Sequence, residues 1–151
     1  MAYYDSIKDA LDSCGQYTGL TAGTSMNPLI HEHKDNIIVV KNQGRLKKYD
    51  VPVYIDQYGR YVMHRIIKVH SDHYTVVGDN LTTKEYVTDD MIVGKLVGFY
   101  KNGKKYVDCD KTLWYKVYSR VWVALYPLRP VYHFYRRCGS FVKRRILKRG
   151  K

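Results

Sequence analysis

The chain has 151 residues, 26 Lys plus Arg against 14 Asp plus Glu, and a formal net charge of +12. That length suffices for one ordinary core, expected over residues 17–108. Three cysteines, Cys14, Cys109 and Cys138, form an odd set without paired spacing, which excludes a disulfide framework and a cysteine zinc site.

In chain order, residues Tyr3 to about Ser13 read as a short amphipathic helix with Tyr4, Ile7 and Leu11 on one side and Gly15 near its end. Asp5, Lys8, Asp9 and Asp12 interrupt this stretch, so residues 1–22 contain no run of about eighteen apolar residues and no secretory pattern. A cytoplasmic setting is the expectation.

Next comes Gly23-Thr24-Ser25-Met26-Asn27-Pro28, a hydroxyl in a turn. Gly23 permits a sharp path before Ser25 and Pro28 fixes φ after it, so the hydroxyl is expected on a stiff loop. His31-Glu32-His33 with Asp35 has the look of a weak metal cluster, but a solvated loop is the favoured reading, and no cofactor is expected.

Strands are predicted over 37–41, 50–56, 60–70, 73–77, 91–100 and 105–109. Pro52 marks its strand as an edge, and Asn102-Gly103 is a type I′ hairpin signal. Within 60–70, alternation puts Val62, His64 and Ile66 on one face and Tyr61, Met63, Arg65 and Ile67 on the other. Partial burial on an apolar face keeps an imidazole neutral and able to accept a proton, which is what a serine nucleophile needs from a base. The bland alternative for His64 is a core histidine satisfied by a carbonyl.

Ser25-Met26-Asn27-Pro28, His64-Arg65-Ile66, Gly78-Asp79-Asn80 and Ile92-Val93-Gly94-Lys95-Leu96-Val97-Gly98 occur in the order of the motifs of signal peptidase I. Over roughly residues 20–100 the chain resembles the histidine-base branch of that superfamily, to which the self-cleaving repressor peptidases are related. The resemblance implies a mainly β fold, a coiled antiparallel sheet or partly open barrel, here with a short helix before it and two amphipathic helices after it. It implies Ser25 as acylating nucleophile and His64 as general base, with Met26 and Pro28 at the substrate. Asp79 ranks first as the acid that orients His64. Glu85, six residues on, ranks second, and Asp89 ranks below both, since Asp89-Asp90 reads as a turn into a strand. The Ser25 N–H is the natural oxyanion donor, while Thr24 is left unassigned. A precursor peptide with small residues before the scissile bond is the implied substrate.

Residues 111–151 hold 12 Lys plus Arg and no acid, whereas residues 1–110 hold 14 of each sign, so the tail carries the entire net charge. The tail reads as two helices. Leu113 to Tyr126 has Trp114, Tyr118, Val121, Trp122 and Leu125 at helical spacing; the second, after Pro130, has Phe134, Tyr135, Cys138, Val142 and Ile146. Interleaved aromatic and basic residues suit an anionic membrane surface, and less well single-stranded nucleic acid; a hairpin folded back on the domain is the plain alternative. The expected division is therefore a peptidase domain over 1–110 and a basic tail over 111–151.

The expected function is a serine endopeptidase that cuts a leader or precursor peptide, soluble or peripheral on a membrane. The alternative is a catalytically silent peptidase-like fold that binds a membrane or nucleic acid through its tail. Autocleavage at Ala22-Gly23 is disfavoured, because that bond lies too near Ser25 to reach back.

Overall fold

The computed structural model describes residues 6–131. Helix α1, Ile7–Cys14, starts where the Ser6 side chain accepts from the Asp9 N–H and stops at Gly15, whose φ of 73° favours a residue without a Cβ. Its buried residues are Ala10 and Leu11. Tyr3 to Asp5 of the expected helix lie outside the described residues, as does the second tail helix.

The strands are β1 Gln16–Leu20, β2 Asn36–Lys41, β3 Pro52–Ile55, β4 Tyr61–Met63, β5 Arg65–Val69, β6 Tyr74–Val77, β7 Glu85–Val87, β8 Ile92–Lys101 and β9 Lys105–Asp108. All pairings are antiparallel. The larger sheet runs β1-β2-β8-β3-β4 with β9 also on β8, and the smaller runs β5-β6-β7. Ten-residue β8 is the spine of this mainly β fold: β2 follows most of one side, while β3 and then β9 share the other, curling the sheet into a half-barrel. At the β8–β9 hairpin, Asn102 (φ 51°) and Gly103 (φ 66°) take the two left-handed positions that their sequence foretold.

Three strand expectations need correction. The run 60–70 is not one strand: the chain leaves the larger sheet after Met63 and enters the smaller at Arg65, with His64 at the corner. Pro52 is not on an edge strand, since β3 lies between β8 and β4. It is tolerated because β4 pairs only with Val53 to Ile55, so no ladder bond asks for a donor at position 52. Strands β1 and β7 are additions.

Two hydrophobic clusters flank β3. Val51 and Val53 join Leu11, Ile30, Val39, Leu96 and Phe99 in the larger, whereas Tyr54 points into the smaller with Ile66, Tyr74, Val76 and Val87. Helix α2, Leu113–Ala124, closes the larger cluster with Tyr115, so residues on both sides of position 110 share one core.

Candidate active site

The Ser25 loop is held from both ends. Gly23, at φ 87°, gives its N–H to Glu32 Oε2 at 2.8 Å, and Asn27 N–H returns to Thr24 O at 3.1 Å. Buried Met26, Leu29 and Ile30 anchor the loop in the larger cluster, leaving Ser25 half-buried at the surface of a cleft of about 810 Å³.

A second loop, running from β6 to β7, meets this one at Gly78. The Asn80 N–H donates to Ser25 O at 2.7 Å. A Cβ on Gly78 would stand 2.8 Å from the backbone Ser25 O, closer than side chains tolerate, and 3.1 Å from His64 Cδ2, a contact the ring would have to yield to. A glycine at 78 lets the Ser25 loop and the imidazole crowd the same point.

His64 is buried, and its Nδ1 faces Tyr54 Oη at 2.9 Å and Glu85 Oε1 at 3.3 Å. Tyr54 Oη lies 2.6 Å from Glu85 Oε2. A carboxylate only accepts, so Tyr54 spends its one proton on Glu85. The Tyr54 oxygen must then accept from Nδ1–H, which leaves the lone pair on Nε2, the neighbour of Cδ2. Burial pulls the imidazole pKa below its usual value, against the opposing pull of Glu85 and then Asp79, so the ring favours the neutral form. Burial, then the bond to Glu85, pushes the Tyr54 phenol well above its usual range, which keeps it a donor.

Glu85, ranked second to Asp79 from the sequence, is thus the acid that faces His64 Nδ1, directly and through Tyr54. Asp79 accepts from Arg65 Nε at 2.9 Å and Arg65 Nη2 at 2.8 Å, a forked pair with both side chains buried. Arg65 Nη1 also reaches Ser119 Oγ at 2.8 Å and Tyr115 Oη at 3.3 Å on α2, and Tyr118 Oη donates to Asp79 at 3.2 Å. Asp89 is elsewhere, accepting from Tyr74 Oη at 2.5 Å and Arg45 Nη1 at 2.7 Å.

The cleft joins Ser25 and His64 to β1 and β4, which end the strand order of the larger sheet among the described residues. Tyr17 and Leu20 of β1 border it on one side, with Tyr61 and Met63 of β4 on the other, and Glu85 also lines it. Met26 lines the cleft, whereas exposed Pro28 does not. Among the described residues, the Ser25 N–H has no acceptor and no hydrogen bond joins Ser25 to His64. The His31 to Asp35 segment is structural: Asp35 is buried and accepts from the N–H groups of His31 and Asn102 and from Lys101 Nζ at 2.9 Å. Among the described residues no group of three or more His, Cys, Asp or Glu gathers as a metal site.

The residue that sequence reasoning missed is Tyr54. A tyrosine in a strand apolar on both faces needs a partner for its hydroxyl, but among 16 tyrosines that signal does not single one out.

Comparison with known protein families, curated proteins and solved structures found no match to this chain.

Proposed function

We propose that this protein is a serine endopeptidase in which Ser25 attacks a peptide carbonyl and His64 moves the proton. The observation that carries the reading is the Glu85–Tyr54–His64 chain, which puts the imidazole proton on Nδ1 while the ring abuts the Ser25 loop at Gly78. As the Ser25 Oγ–carbon bond forms, the hydroxyl proton passes to Nε2, and the oxyanion falls to the unpartnered Ser25 N–H. Collapse breaks the C–N bond, and the leaving amine takes the proton from Nε2. Water then repeats the cycle on the ester, with His64 again the base.

The outer edges of β1 and β4, unpaired among the described residues, support an extended peptide as substrate, paired through its backbone with side chains alternately in the cleft. Resemblance to the histidine branch of signal peptidase I adds small residues before the scissile bond and the signal peptidase type of β fold. The rival reading, a silent peptidase-like fold used for binding, draws on the missing Ser25–His64 hydrogen bond. Such bonds often tighten only when substrate arrives.

The test is acylation by a serine-hydrolase phosphonate probe, read by intact mass, on the parent, Ser25→Ala and His64→Ala. Labelling of the parent alone supports the mechanism. A folded parent that stays unlabelled, or a His64→Ala variant that labels at the parent rate, refutes it.

A further inference from the structure

Helix α2 has two faces with different fates. Tyr115, Tyr118, Ser119 and Trp122 turn inward, where they cage Arg65 and Asp79, and Trp122 Nε1 donates to Asp79 O at 2.8 Å. Just beyond, Tyr126 Oη donates to Thr82 O at 2.6 Å, and Arg129 Nη1 to Gly78 O at 3.0 Å. The inner face is therefore committed to the loop that meets Ser25.

The outer face carries Leu113, Val117 and Val121, each between 49 and 73 % exposed, and Leu125 at its C-cap and Leu128 in the short 3-10 turn that follows, Tyr126–Leu128, are exposed as well. Steps of four align Leu113, Val117, Val121 and Leu125 as one stripe. Lys111, Lys116 and Arg120 are exposed beside it, as is Trp114 near its start. The sequence holds no acid after Asp110, and residues 132–151 bring eight more Lys or Arg.

We propose that this outer face docks on an anionic lipid surface, with the axis of α2 in the plane of the interface. Aliphatic side chains enter the acyl boundary while the flanking bases meet lipid phosphates, which is the chemistry of an interfacial helix. The contact differs from the one the sequence suggests, because Tyr118 and Trp122 are engaged by the domain and the aliphatic stripe takes their place. A second copy is the poorer occupant: it would set Lys116 and Arg120 against like charges, with no acid in the stripe to pair them. Nucleic acid is poorer too, since leucine and valine offer no stacking plane.

The test is co-sedimentation of the full chain with vesicles of phosphatidylcholine alone or mixed with phosphatidylglycerol. The parent, Val117→Asp/Val121→Asp and Lys116→Glu/Arg120→Glu are compared, with unfolding midpoints as a check on folding. The expected result is binding to the mixed vesicles only, weakened by salt and reduced about tenfold or more in each double variant at an unchanged midpoint. Equal binding by the parent and Val117→Asp/Val121→Asp would place the contact in the basic residues after 131 and overturn the proposal. So would an absence of vesicle binding, or a concentration-dependent dimer that the aspartate variant abolishes.

Discussion

Replacing Glu85 by glutamine tests the direction of the proton chain. In the parent, the Tyr54 proton has one destination in this chain, because the carboxylate at 2.6 Å from Tyr54 Oη can only accept. An amide offers donors as well. It can donate to the Tyr54 oxygen, Tyr54 can then donate to Nδ1, and the imidazole proton moves to Nε2, where it blocks the base. A carboxamide that permits the wrong tautomer in a serine triad costs about 10⁴ in rate, and with a hydroxyl interposed we expect a loss of about 10²–10⁴. The charge change has its own signature. At the 3.3 Å Nδ1–Oε1 separation, Coulomb's law gives roughly 1 kcal/mol at the dielectric of water and roughly 5 at an effective value of 20. Glu85 is 37 % exposed, so the lower figure applies, which is about one pH unit. Glu85 stabilises the imidazolium, so its neutralisation lowers the His64 pKa further. The assay is the rate of Ser25 phosphonylation from about pH 4.5 to 9, where the acid limb reports the base. We expect the parent limb below about 6.5, the Glu85→Gln limb about one unit lower, and a depressed plateau. A parent-like plateau, or a limb that moves upward, would refute the Glu85–Tyr54–His64 assignment.

Gly78→Ala forces a Cβ to within 2.8 Å of Ser25 O and 3.1 Å of His64 Cδ2; we expect about 1–3 kcal/mol of destabilisation by denaturant titration and about a hundredfold slower acylation. Arg65→Met strips the partner from buried Asp79, and chemical unfolding is expected to show a loss of about 3–5 kcal/mol. Arg65→Met/Asp79→Leu should recover part of that stability but not the acylation rate. Burial pushes the Cys109 thiol up to about 12, so iodoacetamide at about pH 8 should modify exposed Cys14 and spare Cys109 in the native protein, as read by peptide mass. Equal modification of both would mean that the end of β9 opens readily.

Strands β2, β6, β8 and β9 were legible because their apolar runs end at turn residues, and the β8–β9 hairpin because Asn-Gly suits two left-handed positions. Strand β1 was not, since Gln16, Thr18 and Gly19 give it no apolar alternation; its membership comes from full pairing with β2. Strand β7 is only three residues long and begins with a glutamate that serves the site. Motif spacing suggested Ser25 and His64, and geometry brings their surroundings together. Which acid faces His64 was beyond reach, because a choice between Asp79 and Glu85 depends on which carboxylate Arg65 has already taken. Alternation placed Arg65 on the face opposite His64 without naming a partner for its charge, and it is fully buried: α2, fifty residues later in the chain, covers it. No local pattern carries that fact.

The Arg65–Asp79 pair has a further logic in its neighbours. Arg65 follows His64 in the chain, and Asp79 follows Gly78. At each place one residue faces the Ser25 loop and the next faces α2, so the forked ion pair joins two strand ends by the backs of the residues that form the site. A buried ion pair is a poor source of net stability, since apolar side chains of similar volume often do as well or better. What it supplies is fixed geometry. Two parallel N–H···O bonds tolerate little sliding or rotation, and here they set the distance between the corner that carries His64 and the loop that holds the Ser25 carbonyl through Asn80. Tyr115, Tyr118 and Ser119 complete the bonding of that pair, so the helix is part of the apparatus that holds the site in register. Stability and positioning should therefore separate when the pair is replaced by apolar residues, whereas a pair that only supported the core would lose or keep both together.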